Sequence, residues 1–204
     1  MGQYPKYNNL NLFDQAFTHR SYLNESRRKI ESNERLEFLG DSILSFIVSE
    51  YLYKSYPQFN EGILTNLRSL VVNTKSLAKQ AKDLNFGQLL KLSRGEEESG
   101  GRENESLLAN SFEAYIGGLF LDQGLDIVKT FVGSQLFPKI AEHVENRSFK
   151  DPKSLLQENV QALKYNSPIY KVLHEEGPPH AKTFTIVAMK NNLRINVTLA
   201  DQPQ

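Results

Sequence analysis

The chain has no cysteine. That excludes disulfides, thiolate metal sites and a cysteine nucleophile, and it fits a reducing compartment. Net charge is absent too, with Lys plus Arg and Asp plus Glu at 24 each, so any grip on a polyanion has to come from local basic patches. No apolar run approaches the roughly 20 residues of a membrane span, and no secretory apolar region is legible. Lys6 stands where a myristoylation signal requires Ser or Thr. The expectation is a cytoplasmic protein with no membrane partner. There is no internal repeat, and no Glu-x-x-His pair of the kind that builds a carboxylate-bridged di-iron bundle.

What is present, in 204 residues, is enough chain for one ordinary domain and a small one. The most informative stretch is Asn33 to Ser45, NERLEFLGDSILS. At about 100° per residue, Glu34, Glu37 and Asp41 share an arc of about 60° on one helix face. Leu36, Leu39, Ile43, Phe46 and Ile47 fall on the other side and predict a buried stripe. Crowded carboxylates repel one another on a helix surface. They can be a solvated acidic face, or they can be the oxygen donors that Mg²⁺ prefers. Phe38 lies only about 40° from Glu34 on the same wheel. A large aromatic among charges points to a partner surface.

Taken in order, the chain predicts a short helix from Asn9 to about His19, then a polar loop with the basic cluster Arg27-Arg28-Lys29. Ser32 or Asn33 is expected to cap the acidic helix, which runs to about Tyr56 and stops at Pro57. Glu61 opens the next helix, where an acid complements the helix dipole, and a further helix begins near Thr74. Leu92 to Arg102 has the composition of a structured loop. The helix from Glu105 to Leu121 places Asn110 and Glu113 on one face, and its Gly117-Gly118 pair permits close approach of a neighbouring backbone, offsetting the roughly 1 kcal/mol that glycine costs in a helix. A helix from Leu125 to Phe137 and a second one begun by Pro138 complete an all-α unit. After the polar linker at Glu145 to Lys150, Asp151-Pro152 starts a helix to about Leu163. Three strands follow, from about Ile169, Lys182 and Arg194.

These residues carry a resemblance. NERLEFLGDS at Asn33 to Ser42, HRSY at His19 to Tyr22, EGxLT at Glu61 to Thr65, GEExSGGR at Gly95 to Arg102 and FEAYIGGLFLD at Phe112 to Asp122 resemble the bacterial ribonuclease III family. PKSLLQE at Pro152 to Glu158 and GPPHAKxF at Gly177 to Phe184 resemble the double-stranded-RNA-binding domain that follows the nuclease in that family. The resemblance implies an all-α endonuclease domain over 1–146 and a small α+β double-stranded-RNA-binding domain over 147–204, the latter ending before its last helix. It implies a homodimeric endoribonuclease that hydrolyses double-stranded RNA with Mg²⁺, Mn²⁺ being able to substitute. Its products carry 5′-phosphate and 3′-hydroxyl ends, as in rRNA and mRNA processing.

By position, the resemblance implies Glu37, Asp41, Asn110 and Glu113 as metal ligands. Asp41 and Glu113 are catalytic in the same reading, with Glu34 and Glu61 as further acids of the cleft. Gln157, Glu158 and His180 are implied as RNA contacts, and Phe38 as the residue that inserts into a partner subunit. One position departs from the family, because Asn110 stands where the family usually has Asp. The expectation is a higher Mg²⁺ requirement, since an amide oxygen coordinates without contributing charge. A second reading also follows from Asn110: a catalytically weakened or inactive double-stranded-RNA-binding or ribosome-assembly protein that keeps the fold.

Overall fold

The computed structural model describes residues 4–26 and 30–147, and the backbone of three strands within 169–200. The chain forms two compact units, Met1–Phe149 and Lys150–Gln204. The first is helical: α1 Leu10–Ala16, α2 Glu34–Ser55, α3 Glu61–Val72, α4 Thr74–Asp83, α5 Arg94–Glu98, α6 Glu105–Gln123 and α7 Leu125–Glu145. Short 3₁₀ turns at Arg20–Asn24, Phe86–Gln88 and Gly101–Glu103 connect them. Among the described residues, no helix is long and apolar enough to cross a membrane.

Local chemistry explains most of the boundaries. The side chains of Asn9, Asn60, Asn73 and Asn104 accept hydrogen bonds from the first-turn amides of α1, α3, α4 and α6, which satisfies donors that a helix start otherwise leaves unpaired. Asn73 both ends α3 and caps α4. Gly124, at φ 81°, closes α6 in the left-handed region that glycine tolerates.

Helix α6 is the centre of the unit. It packs most extensively against α2 and α4, and Leu108, Phe112, Ala114, Tyr115, Ile116 and Leu119 are fully buried along it. A helix apolar nearly all round belongs inside. Phe17, Phe86, Phe112 and Tyr115 form an aromatic cluster against it, with ring centroids 5.0 Å apart for Phe17 and Phe86 and 5.1 Å for Phe86 and Tyr115. Each buried ring contributes about 1.5–3 kcal/mol through removal of apolar area from water.

The structure corrects the sequence reading at four places. Asn33 occupies the N-cap position of α2 without a side-chain capping bond. It is buried instead, with its N–H donating to the Thr18 carbonyl (2.8 Å) and its side-chain amide to the Ala16 carbonyl (3.4 Å). Phe46 is 53% exposed, outside the buried stripe. The stripe actually runs through Leu36, Gly40, Ile43, Leu44, Ile47 and Val48, centred on a glycine that a hydrophobicity pattern does not count. The expected loop from Leu92 to Arg102 contains α5, capped by Ser93. Arg102 closes it by donating to the carbonyls of Gly87 and Leu90 at 2.9 Å and to Glu97 at 2.7 Å. Finally, α7 runs unbroken through Pro138. A helix-interior proline forfeits one backbone bond at a cost of about 3 kcal/mol, and burial of Val132, Leu136 and Ile140 on the same face offsets it.

In the second unit, β1 Ile169–Glu176, β2 Thr183–Lys190 and β3 Leu193–Ala200 form an antiparallel sheet in the order β1-β2-β3. The register runs from Thr183 opposite Ala200 to Lys190 opposite Leu193, and β1 carries an irregularity between Val172 and His174. This is the meander that the alternating sequence predicts. The expected helix from Asp151, and the basic cluster Arg27-Arg28-Lys29, lie outside the described residues.

Candidate active site

The site is built by the crossing of α2 and α6, and two glycines make that crossing close. A Cβ placed on Gly40 would overlap the Glu113 carbonyl, and one placed on Gly117 would overlap the Leu36 carbonyl. Side chains at both positions would hold the helices apart, so the backbones touch because neither has one. Gly40 lies immediately before Asp41 and three residues after Glu37. The contact therefore sets Glu113 beside the acidic face of α2.

Electrostatics report that proximity. Glu113 is half-buried, and its carboxyl is pushed up to about 7 by burial first, then by Asp41 and Glu37. Glu37, also half-buried, is held above its ordinary value by burial, then by Glu34 and Asp41. Glu34 is exposed at the start of α2, accepts a hydrogen bond from the Ser32 hydroxyl (2.9 Å) and lies 3.6 Å from the Arg20 guanidinium. Asn110, one helical turn before Glu113, is half-buried. As the side chains lie, no three acidic or histidine groups among the described residues close on a single point. The donor set nonetheless fits a hard divalent cation, because it is all oxygen and because burial first, and the neighbouring carboxylates second, already disfavour the bare charges of Glu37 and Glu113.

Glu61 stands apart within the chain. It opens α3 beyond the far end of α2, where it accepts from the Thr65 hydroxyl (3.1 Å). There it lines a groove of ≈ 610 Å³ with Tyr53, Tyr56, Phe59, Leu64 and Arg68. Asp41 and Tyr53 are separated by 12 residues of one helix, about 18 Å of rise. Phe38 is 77% exposed among the acids of α2, as the helical wheel predicts. Gln157, Glu158 and His180 lie outside the described residues.

The sequence reading missed Gly40 as part of the site. Its signal was present: glycine in a helix interior costs about 1 kcal/mol relative to alanine, and this one adjoins a carboxylate of the acidic face.

Residues 9–140 match a family model described as Ribonuclease-III-like. The chain is 47% identical over 192 residues to Ribonuclease 3 of Geobacillus thermodenitrificans, covering 94% of this chain and 78% of the relative. It is 46% identical over 181 residues to Ribonuclease 3 of Streptococcus gordonii, covering 88% and 78%. Among solved structures it is similar to the nuclease domain of ribonuclease III from Campylobacter jejuni, in a study of flexibility in a region involved in dimer formation, with a TM-score of 0.59 and 39% identity over 65% of this chain and 92% of that one. Dicer from Pichia stipitis is similar at a TM-score of 0.54 and 27% identity, over 96% and 87%. The chain belongs to the bacterial ribonuclease III family.

Proposed function

We infer that this protein is an endoribonuclease that hydrolyses double-stranded RNA with divalent metal ions at the α2–α6 crossing. The observation that carries the reading is the set Glu37, Asp41 and Glu113, drawn together from two helices by Gly40 and Gly117. In this reading Glu37, Asp41, Asn110 and Glu113 hold the metal. When bound, Mg²⁺ supplies Lewis-acid stabilisation of the phosphoryl oxygens and eases attack by water. Water adds to phosphorus and the 3′ oxygen leaves, giving 5′-phosphate and 3′-hydroxyl ends. Residues 1–146 form the nuclease domain, and the meander in 147–204 supports a double-stranded-RNA-binding domain whose contacts include Gln157, Glu158 and His180. The inactive RNA-binding or assembly reading is not favoured, because the relatives are named as ribonucleases and the three carboxylates are kept. Purified protein with long double-stranded RNA should yield short duplex products with Mg²⁺ and none with EDTA; intact RNA in both would overturn the reading.

Asn110→Asp adds a negative charge beside Glu113. The concentration of Mg²⁺ giving half-maximal cleavage is expected to fall about three- to tenfold, as ligand charge count tunes affinity for hard cations. Superimposable Mg²⁺ titrations would remove Asn110 from the ligand set.

The chain acts as a homodimer in this reading. An isologous dimer needs a self-complementary patch, and α2 offers both parts: the projecting Phe38 and, toward its other end, the groove of Tyr53, Tyr56 and Phe59. Seating Phe38 of one copy in the groove of the other also brings Glu61 of the second copy toward the acidic face of the first. That resolves its separation within one chain. Phe38→Ala is expected to weaken dimerisation about 30-fold in sedimentation equilibrium, as for a buried aromatic anchor. An unchanged dimer would sink the interface and leave the metal site standing.

A further inference from the structure

Helix α6 is held from a second side, by a segment at the start of the chain that takes no part in the cleft. Residues 4–9 run along α6 and bond to it repeatedly. The Tyr7 hydroxyl donates to the Tyr115 carbonyl (2.5 Å), and the Tyr115 hydroxyl donates back to the Pro5 carbonyl (2.6 Å). The Gln123 amide donates to the Lys6 carbonyl (2.6 Å), and the Asp122 carboxylate accepts from the N–H groups of Asn8 (2.6 Å) and Asn9 (2.9 Å). Tyr7 is only 7% exposed.

The seat of Tyr7 is the second glycine of the pair. A Cβ on Gly118 would lie 2.7 Å from the Tyr7 hydroxyl oxygen and 3.2 Å from its ring. The adjacent glycines therefore receive different neighbours: Gly117 takes the backbone of α2, and Gly118, about 100° round the helix, takes Tyr7. Glu113 lies about one turn before Gly117 and Gly118 on the same helix. Its own carbonyl faces Gly40, and the carbonyl two residues on accepts the Tyr7 hydroxyl.

We propose that Tyr7 is a positioning residue for Glu113: by gripping α6 at Tyr115 and Gly118 it fixes the rotation of the helix about its own axis and so the distance of the Glu113 carboxylate from Glu37 and Asp41. This rests on the reading of Glu113 as a metal ligand. Side-chain ends lie about 5–6 Å from a helix axis, so a rotation of about 10° moves the carboxylate by about 1 Å, an error large enough to cost a reactive site much of its function. The Tyr7 grip adds to the packing of α2 and α4 in setting that orientation, and it acts on the turn next to Glu113.

The test is calorimetric titration of Mn²⁺ into the full chain, with Mn²⁺-dependent cleavage alongside. Tyr7→Phe keeps the ring on Gly118 and removes only the hydroxyl, so it retains the fold. It is expected to raise the Mn²⁺ Kd and the half-saturating Mn²⁺ concentration about threefold, in the range of one net hydrogen bond, with little change in kcat at saturating metal. Tyr7→Ala should raise both further. Asn73→Ala removes the cap of α4 and lowers Tm at a distance from this contact; it should leave Kd unchanged. The proposal is overturned if Tyr7→Phe binds Mn²⁺ as the native chain does, or if Asn73→Ala shifts Kd equally, which would make the effect one of general stability. Glu113→Gln separates the two layers. If it leaves Kd unchanged, the metal-ligand reading falls and the proposal with it; if it weakens binding while Tyr7→Phe does not, only the positioning role is lost.

Discussion

Glu113→Gln is expected to stabilise the metal-free protein at pH 8 and, in the same molecule, to lower RNA cleavage by more than about 10²-fold, beyond the 10–100-fold typical of losing an outer partner of a metal ligand. The opposite signs share one cause. Burial, then Asp41 and Glu37, raise the Glu113 carboxyl from its ordinary 4.5 to about 7. A carboxyl with a higher pKa folded than unfolded keeps its proton more tightly in the native state, so its contribution to stability falls as pH rises from 4.5 to about 7. Below that window the group is protonated in both states and costs nothing; above it the full penalty remains. At 1.36 kcal/mol per pH unit, discounted for partial exposure, the penalty is about 1–2 kcal/mol. Glutamine keeps the shape and removes the charge. Thermal melts in EDTA should therefore converge for the two proteins near pH 4.5 and separate by about 3–6 °C in favour of the variant at pH 8. Glu37, also raised, adds a slope of the same sign to both curves. A variant that melts at or below the native temperature at pH 8 would show that Glu113 is not held against its neighbours' charge. Cleavage is expected to move the other way because, in the proposed reading, the same carboxylate is a metal ligand, and metal ligands bind deprotonated.

The parts of this site differ in how far the sequence disclosed them. Glu34, Glu37 and Asp41 are legible because they share one helix, where spacing alone fixes the face. Phe38 is legible for the same reason, and its 77% exposure follows from lying among acids. Glu113 and Asn110 come from a distant helix. Their i, i+3 spacing is ordinary, so only the family resemblance singled them out. What joins the two halves is an absence of side chain at Gly40, and a pattern built on apolar residues cannot weigh that. The same blind spot misplaced Phe46: the buried stripe is centred on Gly40 and leaves Phe46 outward, with the Lys129 ammonium 5.7 Å from its ring centroid. Gly117-Gly118 fared better, since two consecutive glycines in a helix demand a packing reason. Pro138 misled in the other direction: its local cost is real, and only tertiary burial of Leu136 and Ile140 shows why the helix continues. Glu61 is named from the family resemblance alone, and within one chain it lies at the other end of α2 from the acidic face.

Gly40→Ala is expected to lower Tm of the helical unit by about 5–10 °C and to reduce cleavage at least about 10²-fold at any Mg²⁺ concentration. In most helix interiors this substitution is favourable by up to about 1 kcal/mol, because alanine restricts the unfolded chain and has the better propensity. Here the added methyl would overlap the Glu113 carbonyl oxygen and approach the Gly117 amide at 3.0 Å. These are backbone atoms of a buried helix, so no rotamer change relieves the clash. The helices must separate or roll, at the 1–3 kcal/mol or more that overpacking costs. Separation moves Glu113 away from Glu37 and Asp41, which is why activity falls further than stability explains. Gly95→Ala is the internal control. Gly95 lies in α5 with no atom within 4 Å of an added Cβ, so the same chemical change there should leave Tm and cleavage within error or slightly improve them. If Gly40→Ala and Gly95→Ala behave alike, the α2–α6 contact is not the device that assembles the site. If Gly40→Ala destabilises as expected but cleaves at the native rate while folded, the distance between Glu113 and the α2 carboxylates is not what the reaction depends on.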